Sequence, residues 1–316
     1  NAGANAYNVA VGFEAGLNIT TGVENNLFGA LAGDSLTTGS YNVAFGKGAL
    51  TNEDTGSRNV AIGSRALNSL NYDGNGYNIA IGYDAGLNMS TGTLNTIVGA
   101  AAGDALTTGG NNTAVGHEAL STEDTGARNT AIGEGSLKTL NFDGNGYNTA
   151  VGYNSGHLIS TGTVNTIIGG LAGDALTTGA NNVALGTLAL SSETGGGKNV
   201  AIGYGSLELL NFNDDGNNVA VGYVAGQLIT TGVQNTIIGS LAGDALTTGS
   251  QNTAVGYGAL STEDANGRNT AIGYGALNLL NAGAEGFNTA VGDLAGTAMT
   301  TGVANTLVGG LAGDAL

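Results

Sequence analysis

Asn stands at positions 8, 25, 42, 59, 78, 95, 112, 129, 148, 165, 182, 199, 218, 235, 252, 269, 288 and 305, and the third residue after each is always Val, Ile, Leu or Phe. Gly occupies the fourth place after every one of these Asn, so Asn8, Asn25, Asn42 and Asn59 are followed by Gly12, Gly29, Gly46 and Gly63. The spacing runs 17, 17, 17, 19 and closes a 70-residue superrepeat. Strand side chains alternate faces with period two, so the residues one and three after the Asn, such as Val9 and Val11, share a face. Ala10, Ala44 and Ala61 lie between them, replaced in the second rung by Leu27, Ile97, Ile167, Ile237 and Leu307. Both faces being largely apolar, the pattern predicts a strand buried on two sides.

Seven residues after the Asn comes a column restricted to Ala or Ser, beginning Ala15, Ala32, Ala49 and Ala66, and small residues imply close approach of backbones. The next position runs Gly16, Gly33, Leu50, Leu67, and the same order returns in later blocks. Each rung then ends in turn chemistry: Thr20, Thr21 and Gly22, or Glu53 to Gly56, or the longer stretch Asn71 to Tyr77. Gly and Asn are expected to supply the positive φ of these turns. A unit of 17 to 19 residues then reads as two short strands and two turns, stable only when stacked on similar neighbours. The fold class predicted is all-β, a parallel β-solenoid or β-roll of about 18 rungs, organised as one continuous array over 1–316 with superrepeats at 8–77, 78–147, 148–217 and 218–287 and a partial one at 288–316. Asn8, Asn25, Asn42 and Asn59, with Gly12, Gly29, Gly46 and Gly63, are its structural residues. Stacked amides about 4.7–4.8 Å apart are expected to hydrogen-bond to one another up the array. NAGANAYN at 1–8 resembles NAGAEGFN at 281–288, so both chain ends read as cuts in a longer array.

Composition narrows the function classes. Gly makes up 59 of 316 residues and Pro, Cys and Trp are absent, which excludes a disulfide scaffold and a Cys-ligated zinc site. A net charge of −17 with seven Lys and Arg leaves no basic stripe for nucleic acid. No apolar run approaches the ~20 residues of a membrane span.

NVAIG at 59–63 and 199–203, with NVAVG, NTAVG and NTAIG elsewhere, resembles the repeat of trimeric autotransporter adhesin heads, and similar rungs occur in bacteriophage tail fibres. The resemblance covers the whole chain and implies a β-roll that packs as a homotrimer. The rung here is longer than that family's usual one, and Val or Thr mostly stands where the family carries Ser after the Asn.

The candidate chemistry is sparse. Lys47 follows Gly46, but Gly48 stands where a phosphate loop needs Ser or Thr. His117 and His157 occupy columns that hold unrelated residues in other blocks and read as variable surface positions. YDGNG at 72–76, FDGNG at 142–146 and NDDGN at 213–217 resemble pieces of calcium loops, with Asp73, Asp143 and Asp215 as candidate ligands, whereas AGAEG at 282–286 lacks the Asp. A turn is the simpler reading. The Asp at 34, 104, 174, 244 and 314 is expected to make a local turn hydrogen bond. Arg58, Arg128, Lys198 and Arg268, beside Glu53, Asp54, Glu123, Asp124, Glu193, Glu263 and Asp264, read as surface ion pairs.

The expectation is therefore a non-enzymatic extracellular fibre segment on a virion or cell surface, without cofactor. Its partners would be copies of itself, as a homotrimer or filament, and a surface receptor, with neither nucleic acid nor membrane insertion. An end-to-end filament subunit is the alternative. An ice-binding solenoid built on Thr21, Thr38 and Thr55 ranks below it, because the longer fourth turn, Gly195 and Ala265 interrupt that column. The Ala and Ser column is the expected contact between chains.

Overall fold

The computed structural model describes residues 5–315. The chain divides into two compact units, 1–161 and 162–316. In the first unit, strands β1 to β9 are Val9–Val11, Asn26–Phe28, Val43–Phe45, Val60–Ile62, Ile79–Ile81, Thr96–Val98, Thr113–Val115, Thr130–Ile132 and Thr149–Val151. In the second, β10 to β18 are Thr166–Ile168, Val183–Leu185, Val200–Ile202, Val219–Val221, Thr236–Ile238, Thr253–Val255, Thr270–Ile272, Thr289–Val291 and Thr306–Val308. Within each unit every strand pairs in parallel with the next, residue for residue, as Ala44 with Ala61 and Ala184 with Ala201. Each unit is thus a parallel β-solenoid, about eighteen turns in all, and no helix occurs among the described residues.

There is one strand per turn, not two. The run after the Gly cannot extend, because it alternates left-handed residues: Gly48 has φ +67° and Leu50 φ +55°. It stacks nonetheless through single backbone bonds between turns, Gly33 N donating to Ala49 O and Leu50 N to Ala66 O, each at 3.0 Å. Every turn therefore satisfies its backbone with its neighbours, as buried peptide groups require.

The central strand residue alone points inward: Leu27, Ala44, Ala61 and Ala80 are fully buried, whereas Phe45 is 56% exposed and Ile168 40%. The strand is buried on one face, which corrects the two-sided expectation. The Ala and Ser column also belongs to the core of the chain itself, since Ala32, Ala49, Ala66, Ala172 and Ala242 have no exposed surface. It therefore cannot be the contact between chains, and its small size reflects a core about one Leu side chain wide. Volume is shared between positions. A Cβ on Gly33 would meet Leu36 Cδ1 at 2.8 Å and Leu27 Cδ2 at 3.0 Å, so Gly stands where those side chains fill the space. Two turns on, Leu67 takes the equivalent place beside the small Ala61.

The turns correct a second expectation. Gly22, Gly39 and Gly56 do not have positive φ. Gly39 is needed for space, a Cβ there falling onto the Gly56 carbonyl. The left-handed residue is instead the one before each Asn, whatever its type: Tyr41 and Arg58 both have φ +62°. Interturn bonds hold it there, Tyr41 N donating to Val23 O at 3.0 Å and Arg58 N to Ser40 O at 3.1 Å.

Candidate functional site

The Asn column forms a ladder, but its main rung joins side chain to backbone. Asn42 N donates to Asn25 Oδ1 and Asn59 N to Asn42 Oδ1, both at 3.0 Å, while Asn25 N reaches Asn8 Oδ1 at 2.8 Å. The amide Nδ2 turns to the closing Gly of the next turn, Asn25 to Gly39 O and Asn42 to Gly56 O at 2.9 Å. Amide to amide bonds are longer, as Asn25 Nδ2 to Asn8 Oδ1 at 3.2 Å. Each Asn thereby ties strand entry to turn exit, and Asn25, Asn42 and Asn59 are fully buried. At Asn59, where the longer loop replaces the closing Gly, Nδ2 donates to Ser57 O at 3.3 Å.

Four residues on, Gly12, Gly29, Gly46 and Gly63 have φ between +133° and +141°, a region closed to side chains. A Cβ on Gly12 would also lie 2.5 Å from Gly29 O. Both the torsion and the adjoining turn demand glycine.

The acidic residues beside Arg58 do not form the surface pairs expected. Glu53, Glu123, Glu193 and Glu263 are fully buried. Glu53 Oε1 accepts from Gly56 N at 2.6 Å, and Oε2 accepts from Tyr72 N at 3.2 Å in the longer loop. Glu193 does the same with Gly196 N at 2.8 Å and Phe212 N at 3.2 Å. Burial pushes the Glu53, Glu123 and Glu193 carboxyls up from their ordinary range, with these backbone donors opposing it in part. The basic residues find other partners. The Arg58 guanidinium lies 5.5 Å from the Tyr41 ring and 5.6 Å from that of Tyr77, whose hydroxyl accepts from its Nη1 at 3.1 Å. Arg128 repeats this with Tyr147, whereas Lys198 pairs with Asp215 at 2.6 Å and Arg268 with Glu285 at 3.2 Å.

The calcium candidates are spread among different contacts. Asp73 Oδ1 accepts from Thr55 Oγ1 at 2.7 Å, Asp143 Oδ1 from Thr125 Oγ1 at 2.6 Å, and Asp215 pairs with Lys198. No group of three or more His, Cys, Asp or Glu close enough to share a metal occurs among the described residues. Burial raises the Asp104 carboxyl. One carboxylate oxygen each of Asp34, Asp104 and Asp244 is buried without a partner among the described residues. His157 Nδ1 lies 3.1 Å from Gly135 O, and His117 is exposed.

Sequence reading missed the surface that the strands present. Residues before the Asn and one, three and five after it share the outward face, which stacks Phe28 on Phe45, Tyr204 on Tyr223 and Tyr257 on Tyr274 with ring centroids 5.5–5.6 Å apart. The always-apolar third position was the available signal. It marks the outward face of a strand whose inward position is filled by Ala.

No helix is long and apolar enough to cross a membrane among the described residues. Neither the known family models nor the curated proteins contain a match to this chain.

Proposed function

We propose that the chain is a structural and adhesive segment of an extracellular fibre, repeating in blocks of 70 residues and assembling with copies of itself, as the homotrimer that its adhesin-like repeats imply. The observation that carries this reading is the outward strand face. Phe45, Ile81, Tyr83, Ile168 and Tyr223 are all exposed there, in register along each unit, and contiguous apolar surface of this kind marks an interaction site. The extracellular setting rests on the resemblance of the NVAIG-type repeats to adhesin heads and phage fibres. The reading assigns the chain no catalysis and no cofactor. Sedimentation equilibrium tests it: a discrete species near three times the 30.8 kDa of one chain is expected. A monodisperse monomer with full β-structure would overturn self-assembly, and mass that grows steadily with concentration would favour the end-to-end filament.

A further inference from the structure

The longer fourth turn does more than interrupt the array. In the first unit Asp54, Asn71, Tyr72, Asp73 and Thr91 line an open cleft of about 480 Å³. That volume suits a small organic molecule, for which pockets of ~300–1,000 Å³ are usual, and greatly exceeds the need of a bare ion.

The cleft is held in shape from below. The buried Glu53 carboxylate accepts from Tyr72 N, so the loop is fixed at the residue that supplies the ring. Asp54 Oδ1 accepts from Thr55 N at 2.7 Å, and the Thr55 hydroxyl donates to Asp73 Oδ1 at 2.7 Å. The Tyr72 ring lies against Gly74, where an added Cβ would sit 3.0 Å from Cε1. Each aspartate uses only Oδ1 in these bonds, and its Oδ2 is left to face the cleft's contents.

We propose that this cleft binds a neutral saccharide. Sugar hydroxyls are donors that two carboxylates and an Asn amide oxygen can accept, and an aromatic ring takes the apolar C–H face of a pyranose. The chain's net charge of −17 disfavours anionic sugars. A divalent cation is less well served, since the cleft offers two carboxylates and each already spends one oxygen on a hydrogen bond.

The equivalent positions recur once in the first unit as Asp124, Asn141, Phe142 and Asp143, with a Phe ring at the Tyr72 position. There Phe142 N donates to Glu123 Oε2 at 3.3 Å, and Gly144 faces the Phe142 ring. Four turns at ~4.8 Å place the two loops roughly 19 Å apart. In the second unit the chemistry fades. The Thr194 hydroxyl contacts Asn211 and Asn213 in place of an aspartate, at 2.9 Å each, and 281–284 read Asn, Ala, Gly, Ala, without ring or carboxylate. Two sites per chain follow.

The site stands apart from the assembly reading, and the experiment separates them. The full chain is applied to an array of neutral oligosaccharides, and sugars that bind are titrated by calorimetry. A stoichiometry of two per chain is expected, with affinity falling at least ~10-fold in the double variant Tyr72→Ala and Phe142→Ala. Tyr223→Ala, on the outward face of the second unit, should leave it unchanged. Should the double variant fail to fold by circular dichroism, Asp73→Asn with Asp143→Asn gives the same reading with the rings intact. The proposal is overturned if no sugar binds, or if both double variants bind as the parent does. It is equally overturned if calcium chloride alone binds, in a manner lost in the Asp→Asn pair, without any sugar signal. Sedimentation of the same variants reports assembly independently.

Discussion

Gly169 and Gly170 are neighbours in sequence, yet they should respond to alanine in opposite ways. Gly169 has φ +138°, and a Cβ there would lie 2.5 Å from the Gly186 carbonyl group, whereas a Cβ on Gly170 meets nothing within 4 Å. Strain at such a torsion costs ~1–3 kcal/mol before any clash is counted, so Gly169→Ala should lower the thermal midpoint sharply. Gly170→Ala should be neutral or raise it slightly, by restricting the unfolded chain. Equal midpoints would show that the turns are not stacked as closely as described. The buried glutamates make a second residue-scale test, in pH. Their carboxyls are raised above the ordinary value of 4.5, so the folded state binds protons that the unfolded state releases. Their contribution to stability is fully present below that ordinary value and is lost as pH rises through the raised folded values. Burial raises Asp104 and Asp244 as well, and they act in the same direction. The thermal midpoint should therefore climb as pH is lowered toward the ordinary Glu value of 4.5. Replacing Glu53, Glu123 and Glu193 by Gln should flatten that slope. Each change should also cost ~1–3 kcal/mol, because an amide nitrogen cannot accept from Tyr72 N and its equivalents.

Strands of three residues have only one inward side chain each, and that decides which substitutions the element tolerates. Ala150 is fully buried and the adjacent Val151 is part-exposed. Ala150→Asp would bury an unpaired carboxylate and should unfold the neighbouring turns. Val151→Asp should cost about 1 kcal/mol, chiefly through lost β-propensity. Denaturant titration of the two variants measures the difference, and equal midpoints would mean that the inward position has been misassigned. The placement of all the strands was legible from the Asn and Gly columns, because a ladder bond and a closed torsion each demand one residue type. The inward face was not. Ala and Val are both apolar, and period two alone cannot say which of two apolar faces meets the core when the core is narrow enough to require Ala. The fate of Glu53 was hidden for a similar reason. A carboxylate in a Gly-rich turn reads as solvated, and it is the longer loop folding back with Tyr72 N, added to Gly56 N of its own turn, that covers both its oxygens. The sequence did carry a trace of this, since an acidic residue stands at 53, 123, 193 and 263, each preceding a 19-residue step.

At the scale of the whole molecule the question is what the outward strand face would meet. Nine turns at ~4.8 Å, each presenting about seven residues of ~3.3 Å, give each unit a face on the order of 1,000 Å². That is about what one partner contributes to a stable interface. The face is aliphatic and aromatic at its centre, where Arg58 lies between Tyr41 and Tyr77, while Lys47, Glu134 and Asp293, each five places after its Asn, are exposed along one edge of it. A second copy presenting the same face would bury the apolar centre against its like and keep these edge charges in water. Lysine at Ile81 and Ile168, one change in each unit, should then reduce the sedimenting mass to the 30.8 kDa of a single chain while the circular dichroism spectrum keeps its β-character, because both side chains are exposed in the isolated fold. Ala172→Leu and Ala242→Leu should behave in the opposite way. They overpack a core internal to one chain, at ~1–3 kcal/mol each, and should lower the midpoint without changing the mass of the molecules that remain folded. If the lysine variant kept the parent's mass while the leucine variant lost it, the contact would lie away from the strands, and the outward face would have to serve some other partner.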